Sequence, residues 1–322
     1  MAPASSSELR TQELLAPELM ARVSQIQLRT HRLVNDVLSG AYRSTFRGSG
    51  VEFEEVRTYQ PGDDVRTIDW NRTAKAGEPF VKTYVEEREL SIVFLVDTSR
   101  SMDFGSKQWT KRETAAAFCA LLSFVAQRSQ DRVGLSMFGE TPGLHLPARK
   151  GGGAVARVVR EVIAAPPTSG PAGFQAVLEL QERTLRRRSL VFLVSDFDGL
   201  DERAADSLAR LARRHDVVAT RVVDPFEREL PAAGRIWMRE LEGDRLVEID
   251  TRSGAVRSAW QKDFELRSAA LAQLLTRAGV DLLELGSGEN LSRALADPLV
   301  RYFTLRRRRR SGHAGGSGSG RG

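Results

Sequence analysis

Two continuous apolar runs, SIVFLV at 91–96 and SLVFLVSDF at 189–197, dominate the hydropathy pattern. Unbroken runs of this length, rich in β-branched residues, are the mark of strands buried on both faces. Around them the apolar period lengthens to that of helices, at 111–128, 154–164 (stopped by Pro166-Pro167), 173–185, 201–214, 263–278 and 289–303. DVVATRVV (216–223) and VDLLEL (280–285) predict two more strands. RVGLSMFG and LHLP (132–139, 144–147), flanking the turn GETPG, predict an antiparallel pair. Residues 225–262 read as an insertion with a hairpin, RIWMRELEGDRLVEID, turning at Gly243-Asp244. Repeated βα units of this kind predict an α/β fold, a doubly wound, mostly parallel sheet flanked by helices on both faces.

Upstream, Leu19, Val23, Ile26, Leu33 and Val37 fall on one helical stripe, opened by Pro17 and stopped by Gly40. That stripe is expected to pack on the main domain. Residues 41–89 alternate turn signals (Gly48, Gly50, Pro61-Gly62, Gly77) with short aromatic pieces, which predicts short strands and loops. The expected organisation is a disordered N-terminus over 1–16, then an N-terminal helix and small β-rich segment over 17–89. The α/β domain follows over 90–303, with its hairpin insertion at 225–262, and a basic Gly/Ser-rich disordered tail over 304–322.

The chain has 322 residues, 41% hydrophobic and 28% charged, which excludes low-complexity and largely disordered classes. Its single cysteine, Cys119, excludes an internal disulfide framework and a Cys-based zinc cluster. The net charge of +6 sits in one place, Arg306–Arg310 plus Arg321, with no acid from 306 onward; without those six the chain carries 42 basic and 42 acidic residues. A neutral body argues against an extended nucleic-acid footprint, and the arginine cluster, with no aromatic residues interleaved, reads as a solvated appendage rather than a nucleic-acid or membrane anchor. The longest uncharged stretch beside a hydrophobic run, Thr114–Gln127, is short of the roughly 20 residues a transmembrane helix needs. The N-terminus lacks a basic segment followed by an apolar one, so a cytoplasmic location is expected.

Candidate chemistry falls after the two buried strands, where doubly wound sheets bind ligands. Asp97, Ser99 and Ser101 alternate, so one loop can aim all three at one point. Asp196 follows the second strand. One or two carboxylates with two hydroxyls form a hard, oxygen-only set suited to Mg2+ or another divalent cation, with an open position for a partner's acid. Two plainer readings stand beside this one. Ser99 and Ser101 can cap the helix that follows, with Asp97 bonding local amides, and Asp196 and Asp198 can cap the helix at 201–214.

The segment DTSRSM after an apolar strand resembles the D-x-S-x-S metal-ion-dependent adhesion motif of von Willebrand factor A domains. The upstream block GSGVEFEEVRTYQPGDDVRTIDWNRTAKAGEPFVKTYVEEREL resembles the hallmark of the bacterial domain-of-unknown-function-58 (DUF58) family, with DRVGL, LVSDF and HDVVATRVVDPFERELP further along. The resemblance implies a von Willebrand A-like domain that acts with a MoxR-type AAA+ ATPase as a chaperone-like or assembly factor. It also implies a metal site at Asp97, Ser99 and Ser101, to which Asp196 is expected to add the second carboxylate. Many family members carry N-terminal membrane helices, which this sequence lacks. The adhesion motif also uses a threonine before the helix AGFQAVLEL; Ala172 stands there, leaving Thr168 or Ser169 to reach in from the preceding loop.

DFDGL invites a rival, a haloacid-dehalogenase-like phosphatase using Asp196 as nucleophile and Asp198 as acid. Leu200 stands where that motif has threonine, and no later paired-acid magnesium motif follows. A third reading is a metal-independent structural adaptor binding through 41–89. There Asp63, Asp64 and Asp69 lie near Arg57 and Arg66, a pattern of ion-paired scaffolding rather than acid–base chemistry. His31, His145, His215 and His313 are scattered, and GGG at 151–153 lacks the Lys-Ser/Thr of a phosphate-binding loop, so ATP hydrolysis by this chain is not expected.

Overall fold

The structure, a computed structural model, describes residues 21–34, 36–46, 55–63, 65, 68–83, 89–168, 170–239, 245–288 and 290–314. In chain order the elements begin with α1 (21–33), α2 (Asp36–Phe46), β1 (Glu55–Thr58), α3 (Trp70–Ala76) and β2 (Phe80–Thr83). Next come β3 (Ser91–Asp97), α4 (Lys111–Arg128), β4 (Arg132–Phe138), β5 (Pro142–Arg149), α5 (Gly152–Ala164) and α6 (Phe174–Thr184). These are followed by β6 (Leu190–Ser195), α7 (Glu202–Arg214), β7 (Asp216–Val223), α8 (Pro225–Arg228), β8 (Arg235–Arg239) and β9 (Leu246–Asp250). The last described elements are α9 (Gly254–Arg277), β10 (Asp281–Gly286) and α10 (Leu291–Ala314).

Six strands form the central sheet in the order β10-β7-β6-β3-β4-β5. Every neighbouring pair is parallel except β4–β5. The period-2 alternation of a strand sorts β3 between two cores. Ile92, Phe94 and Val96 join α1, α2, α4, α5 and α10 on one face, and Val93 and Leu95 join α6, α7 and α9 on the other. Both apolar runs are therefore doubly covered, as their composition requires. From β3 the chain winds to β4 on one side and later returns to β6 on the other. That reversal places a crevice at the C-terminal ends of β3 and β6.

Three stretches differ from the sequence reading. The N-terminal helix does dock on the main domain, through Val23 and Ile26 in the core and Arg22 stacked over Trp109. It breaks at Val34, however, and Gly40 lies inside α2 rather than ending a helix. Leu38 and Tyr42 are buried, and the Tyr42 hydroxyl donates to Asp131 at 3.0 Å; such contacts override glycine's weak helix propensity. Leu19 and the 1–16 segment lie outside the described residues.

The insertion ends earlier than 262. Ser253 caps α9, and the indole of Trp260 donates to the carbonyls of Phe226 and Glu227, so helix already occupies 254–262. These first nine residues of the helix are mostly exposed and carry no apolar stripe, which is why the pattern read as insertion. β8 and β9 pair antiparallel as the hairpin reading requires, while its turn at Gly243-Asp244 lies outside the described residues.

The tail reading is corrected too. Helix α10 runs through Ala314, and Arg306 is not a solvated appendage: its guanidinium pairs with Asp216 and, at 3.5 Å, with Asp281, and stacks over Phe46. Residues 315–322 lie outside the described residues. Ending the chain at 304 should therefore cost about 2 kcal/mol, the worth of a charge-assisted hydrogen-bond set, read as a lower urea midpoint. An unchanged midpoint would make the arginine root dispensable.

Candidate functional site

β3 and β6 pair in register with Val96 opposite Val194, so Asp97 and Ser195 emerge side by side at the crevice. Asp97 is fully buried. Its Oδ1 accepts from the Ser99 amide at 2.8 Å and its Oδ2 from the Ser195 hydroxyl at 2.6 Å. Burial first, and the negative charge of Asp196 second, push the Asp97 carboxyl up to about 6. The part of the plain reading that assigns Asp97 to a local amide therefore holds.

Ser99 and Ser101 are buried beside it, their hydroxyls hydrogen-bonded to each other at 3.0 Å. Ser99 precedes the short 3-10 turn Arg100–Asp103 but makes no side-chain cap bond, so capping does not account for its hydroxyl. Adjacent corners of an octahedron with metal–oxygen bonds of about 2.1 Å are roughly 3.0 Å apart, so two hydroxyls at hydrogen-bonding distance are also spaced as neighbouring ligands of a Mg2+-like ion. Among the described residues, no three His, Cys, Asp or Glu side chains gather as a metal cluster, so a cation here depends on the hydroxyls.

Asp196 follows β6, where Phe197 adopts a left-handed backbone with φ of 64°. That conformation is rare for a bulky residue and marks a sharp, strained turn. It lets the Phe197 amide donate to Ser195 Oγ at 2.9 Å and the Asp198 amide to Asp196 Oδ1 at 3.2 Å. The capping role considered for Asp196 and Asp198 belongs instead to Asp201, which accepts from the Ala204 amide.

The main surprise is Lys111. Thr110 and Glu113 form a reciprocal capping box that fixes the first turn of α4. From that turn the wholly buried Lys111 reaches Asp196 at 2.7 Å and also pairs with Glu227. Burial pushes the ammonium down, but Asp196 and Glu227 more than offset it, and Lys111 titrates above the ordinary lysine range. Burial likewise works against the charge of Asp196, yet Lys111 and a hydrogen bond from Ser101 hold that carboxyl below its usual range. Two adjacent carboxylates are thus driven apart, one toward neutrality and one firmly ionised.

Thr168 comes close to the site without entering it. It bridges to Ser99 in a parallel register, and its amide and hydroxyl both bond the Thr98 carbonyl, at 3.0 and 3.2 Å. Ala172 sits in the core cluster with Phe174, and Ser169 lies outside the described residues. Of the upstream charges, Arg57 clamps Asp63 with two hydrogen bonds and Asp69 caps α3. Both are scaffolding; Asp64 and Arg66 lie outside the described residues. Ser136 does bond His145 Nδ1 at 2.7 Å, but Ser136 is 2% exposed within β4, shut away from any substrate.

Beside the crevice lies a cavity of about 590 Å³. Ser101, Asp196 and Glu227 line it together with Trp260 and Phe264 of α9 and Met238, Val247 and Ile249 of the β8–β9 hairpin. Asp224, just after β7, braces this corner: its carboxylate accepts from the Ser106 amide at 2.9 Å and the Ser287 hydroxyl at 2.6 Å. The sequence reading singled out neither Lys111 nor the cavity.

In comparisons with known proteins, a family model described as "Protein of unknown function DUF58" matches residues 55–270. Uncharacterized proteins of Mycobacterium tuberculosis and Mycobacterium bovis are 31% identical over 296 residues, 91% of this chain and 91% of theirs. Among solved structures the chain is similar to the conserved hypothetical protein BatB from Bacteroides thetaiotaomicron, with 14% identity and a TM-score of 0.44 over 67% of this chain and 99% of that one. It is also similar to a von Willebrand factor type A structure from Catenulispora acidiphila, with 12% identity and a TM-score of 0.32 over 45% of this chain and 34% of that one. No helix among the described residues is long and apolar enough to cross a membrane. The matched block begins at the Arg57–Asp63 clamp, passes through both strands of the crevice and ends on α9 beside the cavity, and on that match the chain belongs to the DUF58 family.

Proposed function

We propose that the protein is a non-enzymatic interaction module that works with a MoxR-type AAA+ ATPase, or with a client such an ATPase remodels, in assembly, activation or chaperoning. Its contact face is the crevice rim. There Ser99, Ser101 and Asp196, with Asp97 beneath, take up a magnesium-like divalent cation and leave one position open for a partner's carboxylate. The observation that carries this reading is the pair of hydroxyls 3.0 Å apart beside the buried carboxylates of Asp97 and Asp196. The ATPase rests on the family resemblance. Against the phosphatase alternative, Asp196 is locked to a buried ammonium, which blunts it as a nucleophile.

Recovery of a MoxR-type ATPase on immobilised protein tests the proposal, with magnesium or EDTA, for wild type and Asp97→Ala. Wild type with magnesium should retain about tenfold more ATPase than the other three conditions. Equal recovery in all four removes the cation from the contact. If recovery then falls on Arg57→Ala alone, the binding face is the 41–89 block.

A further inference from the structure

The body of the chain is neutral in sum but not in distribution. Parallel register lines up the starts of five strands: Ser91 faces Arg132, Ile92 and Asp216 both face Leu190, and Asp281 faces Val218. This lower edge is the end of the sheet opposite the crevice. There α4 ends at Arg128, α6 leads into Arg186–Arg188, and α7 ends at Arg213 and Arg214. α10 comes down to the same edge, where Arg306 meets Asp216 and Asp281, and carries Arg307–Arg309 past it. Apart from Arg306, every one of these arginines is exposed.

The acids at this edge are already engaged. Glu89 pairs with Arg132 and Lys150, Glu182 with Arg210, and Asp216 and Asp281 with Arg306. Asp131 is buried and accepts from the Tyr42 hydroxyl and the Leu90 amide. Among the described residues, Arg186–Arg188, Arg213 and Arg214 pair with no acid. A helix C-terminus attracts cations to its last turn through the macrodipole, which accounts for Arg128, Arg213 and Arg214. Arg186–Arg188 lie past Leu185, where α6 has already closed. His215 registers the surplus: burial first, and the charges of Arg214 and Arg188 next, hold its ring below the ordinary histidine range.

The layout fits a surface better than a linear polymer. Five aligned strand starts span roughly 19 Å, at about 4.8 Å per step. α4 brings Arg128 to one face of the sheet, and α7 brings Arg213 and Arg214 to the other. Cations spread in two directions match a plane of headgroups, whereas a nucleic-acid backbone calls for them along one track. Leu305, one turn before Arg308 and Arg309 on α10, adds an exposed apolar side chain at that end. We infer that this pole docks the protein on an anionic phospholipid surface, with the arginines against lipid phosphates and the crevice turned away from the bilayer. No residue of the rim takes part, so the inference stands apart from the cation reading.

Co-sedimentation of the full-length protein in EDTA tests this, with vesicles of phosphatidylcholine alone or mixed with phosphatidylglycerol. Binding to the mixed vesicles only is expected, lost in about 1 M salt, where charges are screened within about 3 Å. Each arginine removed should weaken binding about fivefold, so Arg186→Gln, Arg187→Gln and Arg188→Gln together should weaken it on the order of a hundredfold. All three side chains are exposed beyond a helix end, so the melting temperature should hold. Arg213→Gln, expected to weaken binding about fivefold, decides the matter if it does not. Removing the same charge around the hairpin by the crevice, with Arg235→Gln, Arg245→Gln and Arg252→Gln, should change binding by less than about threefold. Mixed vesicles left unbound, or equal losses in the two triple variants, overturn the proposal. So does capture of random-sequence duplex DNA by a protein that ignores the mixed vesicles, which would assign the pole to nucleic acid.

Discussion

Replacing Lys111 with Met is expected to cost the fold about 3–5 kcal/mol, the penalty of stranding a buried charge. Asp196 would keep its place under the rim, held by the Asp198 amide and the Ser101 hydroxyl, with no cation bonded to it and Asp97 close by. Because the loss comes from an uncompensated carboxylate rather than from packing, a second change should undo much of it. Lys111→Met combined with Asp196→Asn should recover most of the stability, giving a coupling energy of a few kcal/mol in a double-mutant cycle. Acidification should help the single variant in the same way, because protonating Asp196 removes the stranded charge. Urea unfolding of the four proteins at pH 7 and pH 5 measures all of this. A single variant that loses under about 1 kcal/mol, or a double variant no better than the single, would show that Lys111 does not hold Asp196. Magnesium gives a further readout. If the rim takes a cation, millimolar magnesium should raise the melting temperature of Lys111→Met more than that of wild type, since the metal supplies the missing positive charge.

The strands that build this corner were legible because fully buried parallel strands leave an unmistakable trace. SIVFLV and LVFLV became β3 and β6 with boundaries close to those read, and their polar successors fell at the crevice. That β3 pairs with β6 while β4 goes to the other side is a matter of winding order, and no local pattern encodes it. Lys111 went unread for a similar reason, as its partners lie 85 and 116 residues away. A signal was nonetheless present. Lys111 and Arg112 put two cations in the first turn of a helix, where the macrodipole disfavours them, and both prove to be buried and paired. Arg221 is a comparable anomaly, a cation with its side chain largely buried in a strand that is mostly apolar. That the hairpin lines the cavity had no such trace, because the alternation along β8 and β9 says only that one face is covered, not by what.

Asp97→Asn should make the protein more stable at neutral pH while removing its response to magnesium. Wild-type Asp97 is ionised at pH 7 although burial and Asp196 raise its carboxyl to about 6, from an ordinary value near 3.8. A folded-state value above the unfolded one means the native protein binds the proton more tightly. Its contribution to stability is therefore full below about pH 4 and is lost as the pH rises through 6. The gap corresponds to roughly 3 kcal/mol by pH 7. An amide avoids that cost but cannot reproduce both hydrogen bonds. The oxygen of the introduced amide can still accept from the Ser99 backbone, whereas its nitrogen must face Ser195 Oγ, which already accepts from Phe197. Losing that acceptor for the Ser195 hydroxyl costs about 1 kcal/mol, so a net gain of about 2 kcal/mol is expected at pH 7, disappearing toward pH 4. Paired urea titrations from pH 4 to 8 read the difference directly. A variant less stable than wild type at pH 7, or a difference that does not change with pH, would mean that the buried carboxylate carries no such burden. A gain of that size would show that the ionised carboxylate is a burden on the fold, as expected of a group whose proposed work is to sit beneath a cation, and it would join the stability of the crevice to that work.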